Sequence, residues 1–126
     1  EARYEDAAVS HLLLVHPLCA QHPQAFAHAL QALDLHVGPA RELALTGPAD
    51  EVASLARIVR SALRPRLVLA GHADETGAPS RVRLLEGRHA VDGRGAAYLC
   101  ERFACRAPVT GAADLEALLA PPGDVV

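Results

Sequence analysis

The chain has 126 residues, 51% of them apolar, and a formal charge of -3 at pH 7. This length is enough for one domain of ordinary size, and the slightly acidic balance excludes the basic surface on which nucleic-acid binding depends. No apolar run approaches the roughly 20 residues of a membrane-spanning helix, and the acidic N-terminus lacks the basic region of a signal peptide.

The sequence contains no methionine and begins at Glu1, so we expect it to be the C-terminal piece of a longer soluble protein. Its three cysteines, at positions 19, 100 and 105, are too few for a four-cysteine zinc site and do not make a disulfide framework. We therefore expect a reducing compartment, of which the cytoplasm is the simplest case.

Residues 1–38 are predicted to be helical, because apolar side chains recur near every 3.6 residues. Pro17 and Pro23 interrupt this pattern, which favours two helices or one kinked helix.

Residues 39–120 are predicted to form a small α/β domain, and residues 121–126 a frayed tail. Strand, helix, strand, long connection, strand and helix follow one another, as in α/β proteins. Continuous apolar runs are typical of parallel strands covered on both faces. The predicted fold is therefore a three-layer domain with a short, mainly parallel sheet of about three strands flanked by helices. These strands are 42–46, 67–70 and 96–100.

The carboxyl ends of the predicted strands define the edge at which chemistry is expected, since ligands of open parallel sheets bind there. If the three strands are parallel, their ends converge, and the long charged segment 71–95 begins at the same place. Such a segment either contributes to a site or is a solvated loop. The candidate ligand residues at this edge are Thr46, Gly47, His72 and Arg88.

Cys100 and Cys105 form the second candidate, a redox pair. Their C-x4-C spacing differs from the C-x2-C of thioredoxin-type sites. Five steps along an extended strand span about 16 Å, whereas disulfide-bonded cysteines have Cα atoms about 4.4 to 6.8 Å apart. A disulfide therefore requires residues 101–104 to reverse the chain. The alternative is two small buried thiols that pack beside Phe103.

No complete catalytic constellation is present, so we assign no catalytic residue, no metal site and no cofactor, and whether the parent protein is an enzyme stays open. His16, Cys19 and His22 are three residues apart, but the two prolines disturb their helical face and a fourth ligand is missing. No serine occupies a Gly-x-Ser-x-Gly elbow. Thr46-Gly47-Pro48 lacks the glycines and the lysine of a phosphate loop.

Several short segments resemble one protein family. Residues 41–47 (Arg-Glu-Leu-Ala-Leu-Thr-Gly) resemble the beginning of a late domain in the thioredoxin-domain-containing, spermatogenesis-associated proteins, which include bacterial YyaL-like members. The resemblance covers about residues 24–119 and is most specific over 84–110. The residues similar to the family's ending are 84–88 (Leu-Leu-Glu-Gly-Arg), Gly93, 96–100 (Ala-Ala-Tyr-Leu-Cys), Phe103, Cys105 and 108–110 (Pro-Val-Thr).

The resemblance implies a long parent chain, with an N-terminal thioredoxin-like domain that carries a Cys-x-x-Cys motif. A helical toroid similar to six-hairpin glycosidases and sugar epimerases follows it in the family. This chain contains neither the motif nor a toroid, so no family catalytic residue is carried over. The resemblance implies that residues 1–38 would be the last helices of the upstream toroid. The resemblance favours a non-catalytic C-terminal module that packs against the upstream domains of its own chain. The alternatives are an accessory thiol-redox or small-ligand site, and a structural contribution to a carbohydrate-processing parent.

Overall fold

The computed structural model describes residues 2–73, 81–102 and 104–120. The chain divides into two compact units, Glu1–Pro39 and Ala40–Val126. The predicted tail 121–126 and residues 74–80 of the charged segment lie outside the described residues. In the described part of the chain, no helix is long and apolar enough to cross a membrane.

The first unit is a pair of helices that contact each other, α1 (Ala2–Gln21) and α2 (Ala27–Val37). Of the two predicted arrangements, two helices or one kinked helix, the structure shows two helices, and α1 continues through Pro17. A proline lacks only its own amide hydrogen bond, and Pro17 lies near the end of α1, where this loss interrupts few turns. The chain leaves the helix at Pro23, just after the amide of His22 donates to the carbonyl oxygen of Leu18.

The second unit is built on a four-stranded mixed sheet in the order β2-β1-β3-β4. β1 pairs in parallel with β2, and the helix α3 (Ala49–Arg60) connects them. β3 is antiparallel to β1, and β4 is antiparallel to β3. A last helix, α4 (Ala112–Leu119), follows the sheet. The strands are β1 (Arg41–Gly47), β2 (Leu67–Ala73), β3 (Ala96–Glu101) and β4 (Ala104–Cys105).

The predicted α/β class and the helices that flank the sheet are confirmed, but the mainly parallel arrangement is wrong. A parallel connection to β3 needs a crossover, usually a helix, that returns the chain to the starting edge. In the described part of the connection, 81–95, the only helical element is the 3-10 turn Arg83–Leu85, which lies against β1 and β2. The chain therefore enters β3 at the carboxyl end of β1. An apolar run in the sequence indicates that a strand is buried on both faces, but it does not indicate whether that strand is parallel or antiparallel to its neighbour.

One face of the sheet packs against α3 and α4. Leu43 pairs with Leu99 and Leu45 with Ala97, and all four side chains are buried on this face. Their aliphatic surface is the main stabilising contribution of the unit, because burying apolar area is worth about 25 cal/mol per Å². The helical residues buried against them are Leu55, Ala56, Val59, Leu115 and Leu119.

The opposite face carries the alternate side chains of the same strands, and it is also buried at Ala44, Thr46, Ala96 and Cys100. Leu85, from the turn in segment 81–95, is buried as well. This segment is therefore the third layer of the unit, and it holds the residues of the site described below.

Hydrogen bonds attach the segment to the rest of the unit, and two of them involve α3 and β3. The amide of Gly95 donates to Oε2 of Glu51 in the first turn of α3, at 2.7 Å. The hydroxyl of Tyr98 in β3 donates to the carbonyl oxygen of His89, at 2.8 Å. The segment thus has a fixed position over the sheet.

Gly47 marks the place where the segment reaches the carboxyl end of β1. Its φ is +127°, and a Cβ at this position would lie 2.7 Å from the Cα of Gly95. Only glycine adopts this backbone conformation at low cost and also leaves room for the neighbouring chain. The residue is therefore required by the fold, independently of any ligand.

Candidate thiol–disulfide site

The site begins with a tight hairpin. Glu101 of β3 pairs with Ala104 of β4, so the chain reverses between these two residues. Arg102 in this turn has φ +48°, the left-handed conformation that two-residue hairpin loops require. The chain reversal that a disulfide needs is therefore present. Phe103, beside which the alternative interpretation placed two free thiols, lies outside the described residues.

The hairpin sets Cys100 directly opposite Cys105, and the two residues form a disulfide. Their Cα atoms are 3.9 Å apart, closer than the roughly 4.5 Å of residues that face each other in a non-hydrogen-bonded antiparallel pair and below the usual disulfide range given above. The two cysteines differ in exposure, because Cys100 is 1% exposed and Cys105 lies on the surface.

Arg88 places a guanidinium group against both sulfur atoms. Its Nη2 donates to Sγ of Cys100 at 3.2 Å and to Sγ of Cys105 at 3.1 Å. Its Nη1 donates to the carbonyl oxygen of Leu84. Because arginine stays protonated in proteins, a positive charge is permanently held beside the disulfide.

The local backbone explains why Arg88 reaches the sulfurs. After the 3-10 turn, Gly87 adopts φ +69°, and the amide of Arg88 donates to the carbonyl oxygen of Leu85 at 3.2 Å. The chain thus curls around the guanidinium, and the Leu84 carbonyl fixes one of its nitrogens. The other terminal nitrogen, Nη2, therefore points at the cysteines.

The arrangement is suited to stabilising a thiolate. Sulfur in a disulfide is a weak hydrogen-bond acceptor, whereas a thiolate is a strong one that also carries charge. A neighbouring guanidinium favours the ionised form of a cysteine, which is the nucleophile and the better leaving group in thiol–disulfide exchange. The site therefore has the components of a reversible disulfide.

The other candidate ligand residues lie at the opposite end of the sheet. Cys100 pairs with Glu42 near the start of β1, whereas Ala96 pairs with Thr46 near its end. Four residues of strand, about 13 Å, separate these positions. The predicted convergence of the three strand ends is therefore wrong, because β3 runs antiparallel. The structure brings Arg88 to the cysteines and leaves Thr46, Gly47 and His72 apart from them.

Thr46 and His72 are neighbours on the sheet face that segment 81–95 covers. They are register partners of β1 and β2, and Thr46 is 1% exposed. Within the described residues, Oγ1 of Thr46 and Nε2 of His72 are buried without a hydrogen-bond partner. A water bridge between them is the simplest way to satisfy both atoms.

A separate apolar groove of about 300 Å³ lies on the helical face. It is bounded by α3 and by the exposed side of β2, with Leu45, Val52 and Leu69 among its walls. Cys100 is on the other face of the sheet, so this groove is not part of the disulfide site.

The helical unit contributes no further site. Cys19 is buried and is the free cysteine, and the side chains of His16 and His22 are exposed. In the described ranges, no group of three or more histidine, cysteine, aspartate and glutamate side chains is placed to hold a metal ion.

Comparisons with family models, with curated proteins and with solved structures found no match to this chain. The site therefore has to be interpreted from its own geometry. The sequence suggests one accessory redox or ligand site at the strand-end edge, formed by Cys100 and Cys105 with His72 or Arg88, and of the last two the structure brings Arg88 to the cysteines. Arg88 lies 12 residues before Cys100 and 17 before Cys105, separations for which no sequence motif exists, and only the antiparallel return of β3 brings them together.

Proposed function

We propose that the α/β unit carries a reversible thiol–disulfide site, with Cys100 and Cys105 as the redox pair. Arg88 is the cation that stabilises the reduced form. The observation that carries this proposal is the contact of one guanidinium nitrogen with both sulfur atoms.

The stabilisation expected from this disulfide is too small to make a purely structural role the better explanation. The bridge closes a loop with a sequence separation of only 5 residues, for which chain entropy predicts about 2 kcal/mol of stabilisation. The unit already has an apolar core, formed by both helices and the sheet. In the cytoplasm expected from the sequence, disulfides are mostly transient and serve catalysis or redox sensing.

The proposed setting of this site is the one implied by the family resemblance. The unit would be an accessory, non-catalytic part of a larger thioredoxin-domain-containing protein with a glycosidase- or epimerase-like toroid. Its redox state would then change by exchange with thiols near the upstream domains. This setting gives the site a partner within the same chain.

Counting free thiols tests the redox proposal. In the oxidised chain, alkylation after denaturation should label Cys19 alone, and in the reduced chain it should label all three cysteines. Reoxidation should restore the first result. Cys19→Ser is the matched control, because it removes the free thiol and leaves the pair intact. Three labelled thiols after mild oxidation, or one after strong reduction, contradict the proposal.

A second candidate function, docking against the upstream domains, is favoured by apolar side chains on the helical unit. Leu13 and Leu14 of α1 are 71% and 75% exposed, and Val37 at the end of α2 is 70% exposed. Soluble monomers rarely expose large contiguous apolar patches. We propose that these side chains pack against the helices that precede them in the parent chain.

Removing the apolar side chains tests docking. The double variant Leu13→Ser, Leu14→Ser should bind less of a dye that reports exposed apolar surface, and it should self-associate less in sedimentation. The matched control is Ala7→Ser with Ala8→Ser, which changes polarity on the same helix without removing large side chains. A wild-type chain that is monodisperse and binds no dye contradicts the docking proposal.

A further inference from the structure

We propose that exchange at the disulfide has a fixed direction: an incoming thiolate attacks Sγ of Cys105, and Cys100 departs as a thiolate beside Arg88. We further propose that the incoming thiol compound carries a negative charge. Both statements rest on the proposed redox function and name its mechanism and substrate class.

Accessibility selects the sulfur that is attacked. An attacking thiolate must approach its target sulfur along the line of the disulfide, and the rate depends on which sulfur can be reached. Cys100 is 1% exposed beneath segment 81–95, whereas Cys105 lies on the surface strand β4. The approach to Cys105 is therefore open, and the approach to Cys100 is blocked.

Arg88 contacts both sulfur atoms, so attack at the accessible Cys105 makes Cys100 the leaving group, and Arg88 stabilises it. When Cys105 is attacked, the bond between the two protein sulfurs breaks and its electron pair moves to Sγ of Cys100. Nη2 of Arg88 already lies 3.2 Å from this atom, and burial keeps water from screening the new charge. A stabilised leaving thiolate increases the rate of exchange.

The reaction is completed by a second molecule of the same thiol. Its thiolate attacks the outer sulfur of the mixed disulfide, and Cys105 departs as a thiolate. The protein has then gained two electrons, and two molecules of thiol have become one disulfide. The two protons of the thiols pass to solvent or to the protein sulfurs.

The charge around the hairpin selects the substrate. Arg88 lies 3.1 Å from Sγ of Cys105 and is the cation at the attacked sulfur. Arg102 and Arg106 flank this cysteine in sequence, and the neighbouring strands carry two carboxylates, Glu101 on β3 and Glu42 on β1, the register partner of Cys100. Arg88 therefore carries the charge preference. Charges within about 10 Å attract an anionic reactant at low salt, and this attraction is screened as salt is added.

Trapping the mixed disulfide tests the direction. The oxidised full chain is mixed with 3-mercaptopropionate, quenched with acid at short times and mapped by mass spectrometry. The adduct should be on Cys105 in about nine of ten modified molecules, the ratio expected for a tenfold preference in rate. An adduct mainly on Cys100, or equal amounts on both, overturns the direction.

Three small thiols test the substrate class. 3-Mercaptopropionate, 2-mercaptoethanol and cysteamine are anionic, neutral and cationic, and their rates are compared per unit of thiolate. The anionic thiol should reduce the disulfide about threefold to tenfold faster than the cationic one at low salt. The difference should shrink in high salt and in the variant Arg88→Gln. Equal rates, or a faster cationic thiol, overturn the charge preference.

Failure of the proposed function has a different signature from failure of this inference. If no thiol reduces the pair, or no oxidant forms it, the redox function itself is wrong. If the pair cycles but the adduct maps to Cys100, only the direction is wrong. Since the mapping and the rates use the unmodified chain, a variant that fails to fold leaves both tests in place.

Discussion

At the scale of single residues, Arg88 is the side chain on which the interpretation of the site depends. Its guanidinium is anchored through Nη1 to the Leu84 carbonyl, so its contact with the sulfurs does not rely on the disulfide being intact. In the reduced protein the same contact becomes an interaction between opposite charges. Such an interaction favours the ionised form of the thiol.

Arg88→Gln should therefore slow reduction of the disulfide about threefold to tenfold, because the leaving thiolate loses its neighbouring cation. The rate of reduction by a fixed concentration of dithiothreitol is measured in the background Cys19→Ser. Arg83→Gln is the matched control, because Arg83 is an exposed arginine of the same segment. If both variants behave alike, the effect comes from general charge and not from the contact.

Gly47 gives a second prediction at this scale. Gly47→Ala should destabilise the chain by about 1 to 3 kcal/mol, since alanine is strained at φ +127° and its Cβ would meet the Cα of Gly95. Gly87→Ala is the matched control, because Gly87 also has positive φ but no atom within 4 Å of the added Cβ. Urea denaturation compares them, and an equal loss would show that close packing at Gly47 contributes nothing.

At the scale of elements, the hairpin and the helical layer have different structural roles. The hairpin brings the two cysteines together, and the core packing of α3 and α4 holds the sheet on which the hairpin is built. Redox change should therefore affect the hairpin modestly and leave the core in place.

Reducing the disulfide should lower the free energy of unfolding by about 2 kcal/mol, the chain-entropy value for so short a loop. The measurement is urea denaturation of the oxidised and reduced chain, with Cys100→Ser, Cys105→Ser as a reduced-state reference. Complete unfolding on reduction would show that the disulfide is structural, which contradicts a reversible role.

The helical layer is tested at Leu115. Leu115→Ala should destabilise the chain by about 2 to 5 kcal/mol, because the fully buried side chain would leave a cavity between α4 and the sheet. Leu63→Ala is the control: its side chain is 91% exposed, and its loss should change stability by no more than about 0.5 kcal/mol. Similar effects in the two variants would contradict the packing described for α4.

The sequence locates these elements well and their arrangement less well. Short apolar runs predict β1, β2 and β3 to within a few residues, and the apolar stripe from Val52 onward predicts α3. The direction of β3 depends on the path of segment 81–95 over the sheet. This path is set by tertiary contacts, which a local sequence pattern does not indicate. The two-residue strand β4 is too short to leave a pattern. The contact between Arg88 and the cysteines depends on the direction of β3, so it could not be predicted either.

At the scale of the whole molecule, the chain comprises two units with different amounts of core. Among the buried apolar residues, all except Cys19 belong to the unit Ala40–Val126. This unit also contains the sheet and the Cys100–Cys105 disulfide. The disulfide and most of the stabilising burial in the described residues therefore belong to the same unit.

Residues 40–126 expressed alone should accordingly fold and form the Cys100–Cys105 disulfide. Cooperative urea unfolding, together with a thiol count of zero after oxidation, would check this expectation. A fragment that unfolds without a transition would show that the helical unit is needed for folding, and the redox pair would then have to be assigned to the chain as a whole.

The most direct test of the central claim is the reduction potential of the disulfide in the full chain, measured by equilibration with a buffer of small thiol and disulfide. A reversible pair should have a midpoint above about −300 mV, where it can exchange with a cellular thiol pool. Arg88→Gln should lower the midpoint, because the reduced form loses its stabilising cation. A midpoint below about −300 mV, typical of structural disulfides, or a midpoint unchanged in Arg88→Gln, would contradict the claim.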